Sequence, residues 1–202
     1  MGGLVSVSRG IDRFSEFVGI IANFLVLIAA LVSAFNAFIR YGINFLITVS
    51  REYKFLGGIE WFVQWYSNNS NSFLEAQWYM FAGMVLLGAA FTLRVNEHVR
   101  VDLIYSSVGA RTRTWIDLLG GIFFLLPMCI VLMYFTWPWF LESFYSGEQS
   151  TNAGGLIRWP VKLVLPVGFG LVALQGVSEI IKCIDSLRTG SRREFEYERP
   201  VQ

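Results

Sequence analysis

The chain has 202 residues, 54% of them apolar and 15% charged, with 18 Phe, 7 Trp and 8 Tyr, and a mean hydropathy of +0.52. Soluble domains carry about 25% charged residues, so this composition excludes a disordered chain, a nucleic-acid binder and a small disulfide scaffold. Sixteen basic against fifteen acidic residues leave a net charge of +1, with no global field for polyanions; an integral membrane protein remains.

Residues 17–39 form a 23-residue window without Asp, Glu, Lys or Arg, fenced by Glu16 and Arg40. A helix needs roughly 20 apolar residues to cross about 30 Å of hydrocarbon, so this window spans alone. It is longer than the apolar core of a cleaved signal peptide and ends without a small-residue cleavage site, which predicts an uncleaved signal anchor. In the following segment, residues 40–72, Phe55, Ile59, Phe62, Val63 and Tyr66 recur at helical spacing, and Trp61 and Trp65 are an i, i+4 pair. This predicts an extra interfacial helix between spans one and two, weakened at Gly57-Gly58; the alternative is a loop packed over the bundle. The polar run at 67–72 predicts a turn.

The second charge-free window, residues 76–93, is short, so it recruits residues such as Phe73 and gives a span at about 74–93. Its Ala82, Gly83, Gly88, Ala89 and Ala90 make a face that another helix can approach closely. Next comes Arg94-Val95-Asn96-Glu97-His98-Val99-Arg100-Val101-Asp102, four charged residues and one His in nine positions of a charge-poor chain. The third window, 118–141, lies between Asp117 and Glu142 and sets a span at about 116–141. Beyond it, Asn152-Ala153-Gly154-Gly155 is a turn with permissive backbone, and Pro160 suits the first turn of a helix. The fourth span, about 161–181, carries Gly168, Gly170 and Gly176 and continues through Glu179 towards Lys182. Gln175 and Glu179 share a face, placed either to hydrogen-bond to another helix or to let Glu179 reach the headgroups. The tail, 186–202, mixes charges and is expected to be disordered.

The expected fold is all-α: one membrane domain over 1–185 with four transmembrane helices. A barrel would alternate apolar and polar residues, and these windows do not. With the N-terminus inside, the inner segments hold 11 basic residues and the outer ones 5, which favours cytoplasmic N- and C-termini. Trp78, Trp137, Trp139 and Trp159 then fall near outer span ends, the depth indole prefers.

Little chemistry is available to the chain. Cys129 lies mid-span and Cys183 at the inner boundary, too far apart in depth for a disulfide and too few for an iron–sulfur or zinc site. A single histidine, His98, excludes a bis-histidine haem and reads as a hydrogen-bonding loop residue rather than a catalyst. Ionisable residues, which mark ion and substrate paths in membranes, are missing from every span centre. No cofactor, metal or catalytic site is expected, and the chain reads as a partner subunit.

The blocks Trp78-Tyr79-Met80-Phe81, Gly88-Ala89-Ala90-Phe91-Thr92-Leu93-Arg94 and Asn96-Glu97-His98-Val99-Arg100-Val101-Asp102, followed by Asn152-Ala153-Gly154-Gly155-Leu156 and Arg158-Trp159-Pro160-Val161-Lys162, resemble the small membrane (DctQ-type) subunit of tripartite ATP-independent periplasmic (TRAP) transporters. The resemblance extends over roughly residues 10–185, and its wording is closest to the branch labelled for mannitol and chloroaromatic compounds. It implies a three-component, sodium-coupled importer of organic anions in the bacterial inner membrane. In such a system a periplasmic substrate-binding protein captures the substrate and a large multi-span subunit carries substrate and sodium. The small subunit joins the fixed scaffold.

On that resemblance Arg94, Glu97, His98, Arg100 and Asp102 are expected to lock the inner loop, by local ion pairs or against the large subunit. Asn152, Gly154, Gly155, Arg158 and Trp159 are expected to shape the outer surface near the dock of the binding protein. Gln175 and Glu179 complete the expected partner interface. A membrane anchor of a respiratory or redox complex is the competing class, and it calls for paired histidines that the chain lacks. A self-assembling channel would call for polar pore-lining residues.

Overall fold

The computed structural model describes residues 2–53, 60–97 and 107–190. They form four helices: α1 (Gly2–Tyr53), α2 (Glu60–Val95), α3 (Ala110–Ser146) and α4 (Trp159–Thr189). All four are long and apolar enough to cross a membrane. Among the described residues no strand forms beyond a single bridge between Gln149 and Ile157. Each expected span lies inside one of these helices, and Pro160 sits in the first turn of α4 as its fixed φ allows. The helix α4 runs to Thr189 and stops at Gly190, whose φ of 64° is left-handed. Residues 186–189 are therefore helical, and the rest of the expected tail, 191–202, lies outside the described residues.

The segment between spans one and two differs from expectation. Among the described residues no separate interfacial helix forms there: α1 carries on to Tyr53 and α2 begins at Glu60, while Phe55, Gly57, Gly58 and Ile59 fall outside the described residues. At 52 residues, α1 is about 78 Å long at 1.5 Å per residue, well beyond about 30 Å of hydrocarbon. Of the described residues in the aromatic stripe, Tyr66 is buried and Phe62 and Val63 are half-buried, while Trp61 and Trp65 stay exposed. Phe62 stacks on Trp65 at 6.1 Å, Tyr66 stacks on Phe73 at 6.3 Å, and Phe73 meets Phe35 of α1 at 6.2 Å. Tyr66 is buried and donates its hydroxyl to the carbonyl of Asn36 (3.0 Å) and to its Oδ1 (2.5 Å). The turn expected at 67–72 is likewise helix. Asn69 donates to the Trp65 carbonyl at 2.8 Å and Ser70 to that of Ser67 at 3.3 Å, so these side chains bond back onto their own helix rather than ending it.

The end of α2 is set by Asn96. Its φ of 62° is left-handed, and its N–H bonds to the Leu93 carbonyl (3.3 Å) while that of Glu97 bonds to Thr92 (3.2 Å). This pair of bonds is a Schellman cap with asparagine in the usual glycine position.

Helices α1 and α2 form an antiparallel hairpin, α4 lies against both, and α3 packs along α4. Val18 of α1, Ala90 of α2 and Leu171 of α4 form a buried apolar cluster where the three helices meet, with Leu87 and Val172 packed against it. Small residues let the helices approach. An added Cβ on Gly83 would lie 2.9 Å from Leu25 Cδ1, one on Gly168 2.8 Å from Leu86 Cβ, and one on Gly176 2.8 Å from Leu125 Cδ2. The small-residue face read from the sequence is thus used inside the chain. In α3, residues Gly121–Leu125 form a π turn, with the Leu126 N–H reaching back to the Gly121 carbonyl. Pro127 follows directly, and the wider turn relieves the clash that its ring would make with the preceding turn.

Gly168→Ala is expected to push α2 from α4 and destabilise the protein by about 1–3 kcal/mol, the usual cost of overpacking. Gly170→Ala, whose added Cβ meets only Met133 Cε at 3.5 Å, is the matched control and should melt with the parent in detergent.

Candidate interaction sites at the two ends of the bundle

At the end where α1 begins and α4 finishes, Ser8, Asp12 and Ser15 recur at spacings of four and three along α1, which puts them on one face. They meet Gln175, Ser178, Glu179 and Lys182, which form a matching stripe on α4. Lys182 Nζ lies 2.8 and 2.7 Å from the two carboxylate oxygens of Asp12 and 2.8 Å from Glu179. Gln175 Nε2 donates to Asp12 (2.9 Å) and Glu179 (3.0 Å), and its Oε1 accepts from Ser15 at 2.7 Å. Ser178 donates to Asp12 at 2.9 Å, and its Oγ lies 2.7 Å from that of Ser8. Gln175 and Ser178 have no exposed surface. Removing a carboxylate from water is costly unless it is paired and hydrogen-bonded, and here Asp12 has one cation and two further donors. The arrangement joins the start of α1 to the end of α4.

Beside this network, Arg94 at the end of α2 pairs with Glu16 of α1 at 3.0 Å. The pair is partly exposed, so its worth is small. It ties the hairpin to itself.

At the opposite end, the connection between α3 and α4 folds over α2. The Ser150 N–H donates to the Leu156 carbonyl at 3.0 Å, that of Arg158 to Glu148 at 2.9 Å and that of Gly155 to Asn152 at 2.9 Å. Its centre is Glu75 of α2, 5% exposed, which accepts from the Ser150 hydroxyl, from Asn152 Nδ2 (2.8 Å) and from the Leu156 N–H (2.7 Å). Three further donors from α2 grip the loop: Asn71 to the Ala153 carbonyl (3.1 Å), Ser72 to that of Gly154, and Tyr79 to that of Ile157 (3.1 Å). Gly154 has a φ of 69° and lies so close to α2 that a Cβ would fall 2.0 Å from the Asn68 carbonyl oxygen. Only glycine meets both conditions.

The base of the loop is ionic. Glu148 pairs with Lys162 and with Arg158 at 3.4 Å, and Lys162 Nζ sits 4.4 Å above the ring of Trp139, a cation–π contact. The hydrogen bond from Lys162, helped by the Arg158 charge, holds the Glu148 carboxyl below the ordinary carboxylate range. Trp159 closes the corner edge-on to Phe144 at 5.4 Å.

Residues 71–186, more than half of the chain, match the family described as Tripartite ATP-independent periplasmic transporters, DctQ component. The chain belongs to this family. A similar relative is the C4-dicarboxylate TRAP transporter small permease protein DctQ of Pseudomonas aeruginosa, 27% identical over 125 residues that cover 60% of this chain and 57% of that protein. The match thus spans little more than half the relative's length. No solved structure matches the chain. As a DctQ-family permease with four spanning helices, it is a multi-pass protein of the bacterial inner membrane. The matched region holds the whole loop clamp and the α4 half of the polar network. Its DctQ boundary at residue 71 leaves α1 outside.

Of the residues singled out from the sequence, Asn152, Gly154, Gly155, Arg158 and Trp159 come together at this loop: Asn152 and Gly154 touch α2, Trp159 meets α3, and Gly155 and Arg158 bond within the loop, with Asn152 and Gly154 still exposed. Gln175 and Glu179 also meet, in the network with α1. Arg94 pairs with Glu16 of α1, and Glu97 is exposed just past the cap. His98, Arg100 and Asp102 lie outside the described residues. Sequence reasoning missed Asp12 and Glu75 as anchors: Glu75 borders the second charge-free window, and Asp12 lies before the first, beyond its Glu16 fence. The stripes Ser8/Asp12/Ser15 and Gln175/Ser178/Lys182 were the available signal.

Two outcomes check this construction. Glu75→Ala removes the acceptor of three donors, each worth roughly 1.5–3 kcal/mol when its partner is charged. Exchange of the Leu156 amide hydrogen should speed up by at least about tenfold. For Glu148, a folded pKa below the unfolded value of about 4.3 means the contribution to stability is present above that value. It is lost as the pH falls through the lower, folded pKa. Melting followed from pH 7 to below pH 4 should therefore show a fall that Glu148→Gln lacks.

Proposed function

We propose that this chain is the small permease of a sodium-coupled tripartite importer of organic anions. In this reading it is non-catalytic, scaffolds and orients a large multi-span transport subunit, and contributes to docking of a periplasmic substrate-binding protein. The observation that carries the proposal is where the charges are used. Asp12, Glu75 and Lys182 are engaged inside the chain near the bundle ends, while the span centres hold no ionisable group on which an ion path depends. Meanwhile α1 and α3 turn large apolar side chains outward along their length, such as Phe24, Leu31, Phe124 and Tyr134. Such faces suit lipid and the helices of a larger partner.

The excess of basic residues at the end with the chain termini favours that end in the cytoplasm, which places the loop clamp and the far end of the α1–α2 hairpin in the periplasm. Residues 1–185 then act as one membrane domain with a cytoplasmic tail from 186. Arg94, Glu97, His98, Arg100 and Asp102 are assigned to the inner contact with the large subunit, with Gln175 and Glu179 behind them. Asn152, Gly154, Gly155, Arg158 and Trp159 are assigned to the shape of the dock. The substrate class is taken as an organic carboxylate. The C4-dicarboxylates in the name of the Pseudomonas relative support it. Within the family we place the chain nearest the mannitol/chloroaromatic branch, on the wording of its 96–102 and 152–155 blocks.

The test is purification of the tagged chain from native membranes in mild detergent. A much larger multi-span protein should co-elute, and Arg100→Ala or Asp102→Ala should lower its yield severalfold. A chain that elutes alone, from cells whose organic-acid uptake is unchanged when it is deleted, would overturn the proposal.

A further inference from the structure

Between α1 and α2, at the loop end of the bundle, a groove of about 280 Å³ is lined by Ser33, Asn36, Arg40 and Asn44 from α1 and by Gln77 from α2. Its chemistry is one-sided. Gln77 is 8% exposed, and its Nε2 is fully buried without a hydrogen-bond partner, an arrangement that is costly unless something from outside accepts the bond. Asn36, 5% exposed, uses its Oδ1 for the Tyr66 hydroxyl, which leaves its Nδ2 as a donor. Arg40 adds a full positive charge, and among the described residues no carboxylate pairs with it. The lining itself contains no acid. A site made of a cation and amide donors fits an anion with several acceptor oxygens.

We infer that this groove holds the phosphodiester of a membrane phospholipid. Depth selects the lipid. Arg40 is the residue that ends the 23-residue charge-free window of α1, so its guanidinium sits where headgroup phosphates lie, at the end of about 30 Å of hydrocarbon. On the hydrocarbon side of Arg40, α1 exposes Phe35 (54%) and Phe38 (77%), and Tyr41 (76%) flanks the opening. This surface suits acyl chains below a headgroup and an interfacial aromatic beside it. The phosphate accepts from Arg40 and from the buried Gln77 amide, with Asn36 and Asn44 able to add donors at the rim. The lipid then fills the groove between α1 and α2 at the membrane surface.

Native mass spectrometry of the full chain in detergent tests the inference, with phosphatidylglycerol, phosphatidylethanolamine, diacylglycerol and inorganic phosphate as separate probes. One copy of either phospholipid should stay bound, and neither diacylglycerol nor inorganic phosphate should. Arg40→Gln and Gln77→Leu should each cut retention about fivefold or more, and Arg40→Lys should keep most of it. Arg40 is exposed, so its variants remain folded, as helicity and melting will verify, even if Gln77→Leu does not. Retention unchanged in Arg40→Gln, or equal retention of diacylglycerol, would overturn the assignment. Binding of inorganic phosphate alone, or loss of the lipid when the large subunit is present, would overturn it as well.

Discussion

A carboxylate withdrawn from water must find its donors within the chain, and two of them, Asp12 and Glu75, hold the ends of this bundle. Each is met by several donors: Asp12 by Lys182, Gln175 and Ser178, Glu75 by Ser150, Asn152 and the Leu156 amide. Helices in lipid gain little from burying apolar surface against each other, since lipid tails are equally apolar. Close van der Waals packing at glycine and a few polar bonds therefore carry most of the specificity. The two clusters fasten opposite ends of the molecule, with the packing of Val18, Ala90 and Leu171 between them.

This division explains how a chain so poor in charge is organised. The helix α4 lies against the other three, and its polar stripe near one end and Lys162 near the other are both paired. The loop between α3 and α4 is held by backbone bonds, by donors from α2 and by a glycine that no larger residue can replace. It is a built surface rather than a slack connection.

Much of the fold was legible because hydrophobic windows report membrane spans almost independently of tertiary context. Four windows became four helices. The cap at Asn96 and the turn at Gly154 also follow from local chemistry, through the tolerance of asparagine and glycine for left-handed backbone. Residues 61–72 misled because their local signals favoured an interfacial helix and a turn. Tyr66 and Phe73 instead found partners on α1, and Asn69 and Ser70 bonded back to their own helix, so tertiary contact outweighed propensity.

By itself the sequence determined the class, the number of spans and the absence of charge from their centres, because transfer into hydrocarbon penalises each residue one at a time. It also carried the motifs that belong to the family. Only the tertiary structure decided which polar residues meet. Asp12 and Lys182 are separated by most of the chain, and Glu75 lies far in sequence from the loop it anchors. No periodicity within one helix specifies which stripe on another helix it will face; that depends on how closely the backbones approach at Gly83, Gly168 and Gly176. Among the few charges that first marked the chain as a membrane protein, Asp12, Glu75, Glu148, Lys162 and Lys182 are, in three dimensions, fastenings of its bundle.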